Sequence, residues 1–598
     1  MQRPRGALMP IVSHRDLRLE VTSRSMSGPL VPGRPPVKVL DFVLAIPAAM
    51  VLVLLIVPML LTVVDAFDAD RLGFGNFAAV LSDPDALRAL WHTGLWILTA
   101  LALGVVSFGI AVLSRAVDRW WLAFMVVIVL PFGASAVASG AAFRLMFDPA
   151  PERGLASALA YEIFGQTPVW LGPGLIWFVL VSSFCWTWLG FAVSLFRAGL
   201  RASPEGVIRR ARVEGASRLR QLRIRIQALR PVSATILLTL VVAAVRLFDL
   251  VLIATPGPMQ DDVDTVAVHW WRLTATPLED QGQPAALAVI LFAMLGVIAL
   301  VLSRAMGGPR KVPKSPPHWW RERGREPDVH TRGWSIVIGS GICILWALPV
   351  ISLVATSFRD PIDAGAEGWW RPGVSGLSLE SLAISAPGLV ESLSTTLTVA
   401  LGATILVVGT GIFAARALAL STRPVLARIV VATLTLLAVA PVQMYAIPLR
   451  RAFTALSLAG SDFSLIFVHA AAALPLAILI LRAALLAAPD TREVGALRGQ
   501  TRATTAANRL WANAGRAVVA VGVIEFVQVW NDFIIALLVS GPGSSPLTLV
   551  LWGEARQFGT SAGTVAASAV VSAVVPVAVL LATWRRWVVP GLTGGVLR

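Results

Sequence analysis

The chain has 598 residues, of which 56% are hydrophobic and only 14% are charged, and its formal net charge is +16. A typical soluble domain carries about 25% charged residues, so this composition excludes an ordinary soluble enzyme, a disordered chain and a nucleic-acid-binding domain. The mean hydropathy of +0.76 and the repeated apolar stretches of roughly 20 residues predict a polytopic, all-α membrane protein.

Twelve apolar segments have the length of membrane-spanning helices. A basic, proline-rich stretch that is typical of a linker separates them into two sets of six. The predicted spans are 43–66, 90–114, 120–145, 174–197, 232–254, 284–305, 334–357, 390–415, 426–449, 463–487, 517–539 and 562–584. The predicted domains are a basic N-terminal tail at 1–42, a first half at 43–305, a basic linker at 306–333 and a second half at 334–598.

The loops between the spans alternate between acidic and basic composition. The loops at 67–89 and 255–283 are mostly acidic, whereas 197–230 contains ten arginines. Because basic residues concentrate on the cytoplasmic side of a cell membrane, both termini and the linker are predicted to be cytoplasmic. In each half the long basic loop lies between the fourth and fifth spans, which indicates a repeated architecture of the kind found in transporters.

These two basic loops share a proline near their start, small residues and a glycine. The first, 202–231, contains Pro204, and the second, 488–511, contains Pro489. The pattern predicts short amphipathic helices at the membrane surface, interrupted by a glycine, and not further spans. In the alternative interpretation the arginines only set the topology and bind anionic lipid.

The basic loops resemble the coupling loops of permeases of binding-protein-dependent ABC importers, which carry a Glu-Ala-Ala motif followed after three residues by glycine. The first copy has Arg209 in place of the acid, and the second copy lacks the first alanine. The resemblance implies that each loop docks into an ATPase subunit. The residues implied are Arg209, Ala211, Glu214 and Gly215 in the first loop and Glu493, Gly495 and Gly499 in the second.

Other stretches resemble the maltose-type carbohydrate permeases in particular. FRLMFDP at 143–149 and RLFDLVLIATPGP at 246–258 are similar to the larger of the two usual subunits, and PVQMYAIPL at 441–449 and VWNDFIIALLVS at 529–540 to the smaller one. The resemblance implies two fused six-helix permease cores that import a carbohydrate. It implies as partners a cytoplasmic ABC ATPase dimer, an extracytoplasmic solute-binding protein, membrane lipid and a small-molecule sugar, and no nucleic acid.

Several polar and aromatic residues lie within or beside the predicted spans. A charged group at the bilayer centre needs a partner or a wet cavity, because its insertion costs about 2.5–3.5 kcal/mol. Arg246 and Asp249 are three residues apart and are expected to face one another on the fifth span. The polar residues either line a translocation path or lock the helices together, and the tryptophans either stack on a sugar ring or belong to the aromatic belts at the membrane interface. The group consists of Trp186, Arg246, Asp249, Glu525, Trp530, Asn531 and Asp532.

The energy source is predicted to lie outside this chain. None of the lysines, Lys38, Lys311 and Lys314, has the GxxxxGK[ST] context of a P-loop. We therefore expect a non-enzymatic transport subunit that binds no cofactor, with ATP and Mg²⁺ on separate ATPase subunits. Two alternatives remain open: a secondary carrier of the major facilitator kind, and a fused ABC permease for iron, thiamine or a polyamine.

Overall fold

The computed structural model describes most of the chain in ten ranges. Within them it contains α-helices and short 3₁₀- and π-helical segments, and no β-strand, so the all-α prediction is confirmed for these residues. The described residues from Val43 onward belong to one compact unit. The described residues are 37–67, 73–114, 121–202, 213–274, 281–306, 333–371, 376–487, 502–541, 545–556 and 562–594.

The described residues of the first half contain twelve α-helices. A π-helical turn at Leu52–Ile56 links the first two, and 3₁₀ turns lie at Leu130–Gly133 and Gly257–Met259. The helices are α1 (Val37–Val51), α2 (Val57–Ala66), α3 (Gly75–Ser82), α4 (Pro84–Leu113), α5 (Trp121–Val129), α6 (Ala136–Met146), α7 (Leu155–Phe164), α8 (Ile176–Ala202), α9 (Arg218–Val245), α10 (Asp249–Ala254), α11 (Val266–Leu273) and α12 (Gly282–Met306).

The described residues of the second half repeat this order, with no counterpart of α7 between their third and fourth spans. A 3₁₀ turn lies at Val442–Met444 and a π-helical turn at Trp584–Val588. The helices are α13 (Gly333–Ser357), α14 (Pro361–Ala366), α15 (Glu380–Ala419), α16 (Pro424–Ala438), α17 (Ala446–Ala455), α18 (Asp462–Ala487), α19 (Arg502–Trp530), α20 (Ile534–Val539), α21 (Leu547–Ala555), α22 (Ala562–Thr583) and α23 (Val589–Gly594).

Eight helical segments in the described ranges are long and apolar enough to cross a membrane, and the protein is an integral membrane protein. Each coincides with one of the twelve predicted spans. The eight are Leu44–Ala66, Pro84–Leu113, Ile176–Arg201, Gly282–Leu302, Ser340–Ser357, Gly388–Ala419, Asp462–Leu486 and Ala562–Leu592.

The other four predicted spans are helical but broken, and they are the third and fifth of each half. In the third span, Phe124–Gly133 and Ala136–Met146 meet at an angle of 109°, next to Pro131, whose ring removes a backbone donor. Its counterpart breaks next to Pro441, and the fifth spans break between α9 and α10 and between α19 and α20. Irregular backbone at membrane depth is tolerated where protein buries it or where it lines a cavity.

The first span of each half packs against the other half. α2 packs against α17 of the second half, and α13 packs against α5 and α6 of the first. The last spans follow the same rule, since α12 contacts Val442–Met444 and α22 contacts Leu130–Gly133. This reciprocal packing places both broken third spans at the interface between the halves.

Candidate functional site

The breaks of the third and fifth spans meet across this interface. Asn531, just after α19, donates a hydrogen bond from Nδ2 to the backbone oxygen of Gly133 at 3.1 Å. Arg246 holds the equivalent position after α9 and interacts electrostatically with Tyr445, which directly follows the break of the other third span. Each half therefore places a polar side chain on the broken third span of its partner.

The broken fifth spans also share their local geometry. The hydroxyl of Thr265 donates to the backbone oxygen of Leu247 at 2.7 Å, and that of Thr548 donates to the backbone oxygen of Asp532 at 2.7 Å. Both acceptors lie in a break whose carbonyl has no helical partner. In each half, a threonine that follows the broken fifth span thus donates a hydrogen bond to the backbone oxygen at the same position of the break. This equivalence supports the predicted repeat.

A cluster of ionisable side chains surrounds the two breaks. Arg246 and Asp532 both interact electrostatically with Glu525 and with His469, and Asp249 belongs to the same cluster. The Nε2 atom of His469 lies 4.0 Å from Oδ2 of Asp532. Four of the seven predicted path residues are therefore brought together, and residues of both halves contribute.

Asp532 has a second role in this cluster. Its Oδ2 accepts hydrogen bonds from the backbone amides of Ile535 at 2.8 Å and Ala536 at 3.3 Å. These amides belong to the first turn of α20, which has no carbonyl partner for them. The carboxylate therefore fixes the start of this short helix while it faces the cluster.

The prediction that Arg246 and Asp249 lie on one face of a continuous helix is wrong. α9 ends at Val245, so Arg246 follows one helix and Asp249 begins the next. The two side chains still interact electrostatically, but across a break in the helix. Periodicity could not predict this, because the sequence around the break contains no proline or glycine.

The two predicted tryptophans lie in the packed interior. Trp186 donates from Nε1 to the backbone oxygen of Trp346 at 2.8 Å, and Trp530 donates to that of Ser572 at 2.9 Å. Both rings are almost completely buried. In this conformation they join helices, and their place on a translocation path stays a prediction.

Of the two coupling loops, the described residues include 213–231 of the first and 502–511 of the second. Glu214 and Gly215 are exposed, and Gly215 has a φ of +81°, a conformation that favours glycine. Two residues later Ser217 caps α9 by accepting a hydrogen bond from the amide of Arg220 at 3.3 Å. The predicted glycine break before a helix is thus present, but the prediction of a short surface helix is corrected, because α9 runs from Arg218 to Val245 without interruption and enters the fifth span. Outside the described residues lie Arg209, Ala211, Glu493, Gly495 and Gly499.

A second charged group lies in the predicted outer loop of the first half. Arg272 pairs with Asp261 and lies 2.7 Å from Oδ2 of the buried Asp264. Burial raises the pKa of Asp264 to about 7, and the nearby Arg272 opposes this shift. His269 lies 3.6 Å from Asp83, and burial lowers its pKa. The group ties α11 to the start of α4.

Sequence-based reasoning missed His469 and Tyr445 as members of the interface. Tyr445 lies inside the PVQMYAIPL stretch that carried the resemblance, but nothing in its spacing indicates a partner in the other half. His469 is a lone histidine in an apolar helix. Only the packing of α18 against the broken fifth span brings it to Asp532.

No protein-family model matches this chain. It is 29% identical to the osmoprotective compounds uptake permease protein GgtD of Synechocystis sp. over 43% of this chain and 89% of that protein. It is 24% identical to the alpha-glucoside transport system permease protein AglF of Rhizobium meliloti, over 37% of this chain and 68% of that protein. The chain is related to ABC transporter permeases.

A third relative, the trehalose/maltose transport system permease protein MalF of Thermococcus litoralis, is 25% identical over 37% of this chain and 75% of its own length. Each of these relatives therefore matches about two fifths of the chain but most of itself, as expected for a fusion of two permease subunits. Among solved structures, the chain is similar to a bacterial ABC transporter involved in the import of the acidic polysaccharide alginate. That match has a TM-score of 0.40 and 20% identity, and covers 46% of this chain and 96% of that one.

Proposed function

We propose that the chain is the transmembrane permease of an ATP-driven ABC importer, and that it moves a carbohydrate between its two halves. The observation that carries the proposal is the relationship to permeases whose names specify alpha-glucosides, trehalose or maltose. Each covers about two fifths of the chain. One polypeptide therefore supplies both halves of the membrane core that such importers assemble from two subunits.

The interface between the halves supports the location of the path. It contains broken helices from both halves and an ionisable cluster centred on Arg246, Glu525 and Asp532. Broken spans with polar groups at a repeat interface are typical of transporter binding regions. A neutral, hydroxyl-rich solute can exchange hydrogen bonds with such groups without introducing a further buried charge.

The partners of the proposed importer lie on opposite sides of the membrane. Two ATPase subunits dock on the basic loops that contain Gly215 and Gly499, and they bind ATP and Mg²⁺. A solute-binding protein delivers the sugar from outside, and both termini of the chain are cytoplasmic. ATPase closure shifts the permease between inward-open and outward-open states, because a ligand moves an equilibrium only through differential binding.

The test is uptake by the purified complex in proteoliposomes. The chain is reconstituted with its copurified ATPase and solute-binding protein, and radiolabelled trehalose, maltose and an arabino-oligosaccharide are offered outside. We expect saturable uptake of at least one sugar that requires ATP inside and is unchanged when the pH gradient is dissipated.

The same vesicles discriminate the competing functions. Uptake by the chain alone, driven by a pH gradient without ATP, would establish a secondary carrier instead. ATP-dependent uptake of iron, thiamine or a polyamine without uptake of any sugar would retain the ABC mechanism but replace the substrate.

A further inference from the structure

A cavity of about 510 Å³ lies between the two halves, apart from the cluster around Asp532. The first half contributes Arg144, Asp148 and Arg153, and the second half contributes Glu367 and Trp369. None of the seven predicted path residues lines it. Its volume falls in the range of about 300–1,000 Å³ that is typical of small-molecule sites.

The cavity exists because the two halves differ here. The segment between the third and fourth spans is long in the first half, 147–175, and contains α7, whereas the corresponding segment in the second half is only 456–461. Val169 and Leu171 of the long segment form one wall. The cavity therefore depends on a segment that is long only in the first half, and it does not follow from the repeated architecture.

The loop from the second half is held firmly against this segment. The amide of Gly368 donates to the backbone oxygen of Glu152 across the halves at 2.7 Å. The buried guanidinium of Arg359 donates to the backbone oxygens of Gly368 at 2.7 Å and Arg371 at 2.9 Å. Trp369 is thus positioned by hydrogen bonds on either side of it, as a preformed binding surface requires.

The wall of the cavity combines charges of both signs with an aromatic ring. Arg153 pairs with Asp148 at 3.2 Å, Arg144 donates to the backbone oxygen of Ile253 at 3.3 Å, and Glu367 also lines the cavity. The Trp369 side chain is only half-buried and lines the cavity.

We propose that this cavity is a second, outer binding site for a neutral mono- or disaccharide. Two arginines and two carboxylates give the wall no net formal charge. An anion would be repelled by the carboxylates, and a cation would be repelled by the arginines. A sugar donates hydroxyls to the carboxylates and accepts hydrogen bonds from the arginines, while its apolar face lies on Trp369. The inference rests on the proposed function and adds an entrance site separate from the central cluster.

The first experiment measures occupancy without transport. Met259, which lines the cavity, is replaced by cysteine in a Cys185→Ala/Cys343→Ala background, and the purified chain is labelled with a charged maleimide. Trehalose or maltose at millimolar concentration is expected to slow labelling at least threefold. Gluconate and choline, as anion and cation, are expected to have no effect. Ser82→Cys, an exposed position outside the cavity, is the matched control and should react equally with or without sugar.

The second experiment adds Trp369→Ala, with Trp91→Ala as its control, because Trp91 is 67% exposed and does not line the cavity. Trp369→Ala should abolish the protection of Met259→Cys and raise the uptake KM about tenfold with kcat nearly unchanged, whereas Trp91→Ala should change neither. Glu367→Gln should weaken protection without changing the yield of folded protein.

The outcomes separate the site from the function. If the wild-type complex takes up no sugar, the proposed function is refuted. The labelling of Met259→Cys would still show whether sugar binds in the cavity. Uptake by the wild type, together with unprotected Met259→Cys, would overturn the outer site alone. Protection by the solute-binding protein in the absence of sugar, and none by sugar, would also overturn it and would show that a protein segment fills the cavity.

Discussion

Phe248 of the first half stacks on Phe533 of the second, with ring centroids 5.8 Å apart and an angle of 23° between the ring planes. Both side chains are fully buried, and both lie two residues after the start of a break in a fifth span. The stack therefore joins equivalent points of the two repeats.

The first prediction is energetic coupling between these two rings. Phe248→Leu and Phe533→Leu should each raise the sugar-independent ATPase rate of the reconstituted complex, because each weakens the closed interface. An aromatic pair contributes about 0.5–1.5 kcal/mol beyond area burial, so the double variant should change the rate less than the product of the single effects. Strictly multiplicative effects in this double-mutant cycle would show that the stack does not hold the halves together.

The second prediction concerns the hydrogen bond from Asn531 to Gly133. Asn531→Leu leaves the buried carbonyl without its donor, which should destabilise the protein by about 1–3 kcal/mol. Asn531→Asp should be more damaging, since it loses the donor and adds a negative charge next to Asp532. Thermal unfolding of the detergent-solubilised chain measures both effects. If Asn531→Leu unfolds at the same midpoint temperature as the wild type, the hydrogen bond from Asn531 to Gly133 contributes nothing to joining the halves.

The third prediction tests the close approach of α8 to α5. A Cβ at Gly190 would overlap the backbone oxygen of Ile128 and lie 3.0 Å from Cα of Val129, and backbone atoms cannot move aside as a side chain can. Gly190→Ala should therefore sharply reduce the yield of monodisperse protein in detergent.

Gly94 in α4 provides the matched control, because no atom of another described element lies within 4 Å of its added Cβ. Gly94→Ala should be neutral or stabilising by up to about 0.5–1 kcal/mol, as expected for alanine in a helix interior. Equal yields of Gly190→Ala and Gly94→Ala would contradict the packing of α8 on α5.

The sequence was sufficient to predict the helical class and the positions of the apolar segments, eight of which form described helices long and apolar enough to cross a membrane. The domain bounds stay a prediction. Hydropathy reports length and composition, and both survive in the structure. It could not predict that the third and fifth spans of each half are broken. An apolar run with one proline, such as that around Pro131, fits a kinked span as well as a bend of 109°.

The site was predictable in part for a related reason. A charged residue in an apolar segment is conspicuous, so Arg246, Asp249, Glu525 and Asp532 were identified as a group. Their partners across the halves were not identifiable, because contacts such as that of His469 depend on which spans pack together. Nothing in the sequence indicates the outer cavity, because the loops that form its wall have an ordinary composition.

The fourth prediction concerns pH and Asp264. Its folded-state pKa of about 7 lies above the ordinary value of 3.8, so the folded chain retains a proton that the unfolded chain releases. This contribution to stability is complete below about pH 4 and is lost as the pH rises to 7 and beyond. The charged groups around it are Asp85, Arg88, Asp261 and Arg272.

Asp264→Asn removes this titration, so the variant should lose less stability than the wild type between pH 5 and pH 8. The difference between the midpoints of thermal unfolding at these two pH values should therefore be smaller in the variant than in the wild type. Thermal unfolding of both proteins at intervals of half a pH unit gives the comparison. Parallel pH profiles would show that Asp264 is ionised throughout this range.

The last prediction concerns Gly215 and the proposed docking of the first coupling loop. Its φ of +81° strains any other residue, by about 1–2 kcal/mol for an ordinary side chain. Among the described residues, no atom lies within 4 Å of an added Cβ. These residues therefore leave room for a large side chain, which a close-fitting partner would exclude.

Gly215→Ala introduces the backbone strain alone, whereas Gly215→Trp adds bulk that a close-fitting ATPase groove cannot accept. We expect Gly215→Ala to keep most of the copurifying ATPase and most of the uptake, and Gly215→Trp to lose both while membrane insertion is unchanged. Copurification from membranes that contain equal amounts of each variant is the measurement. If Gly215→Trp retains as much ATPase as Gly215→Ala, the loop is not seated in a groove, and the alternative that its arginines only set topology and bind lipid gains support, because an exposed loop tolerates a bulky neutral residue.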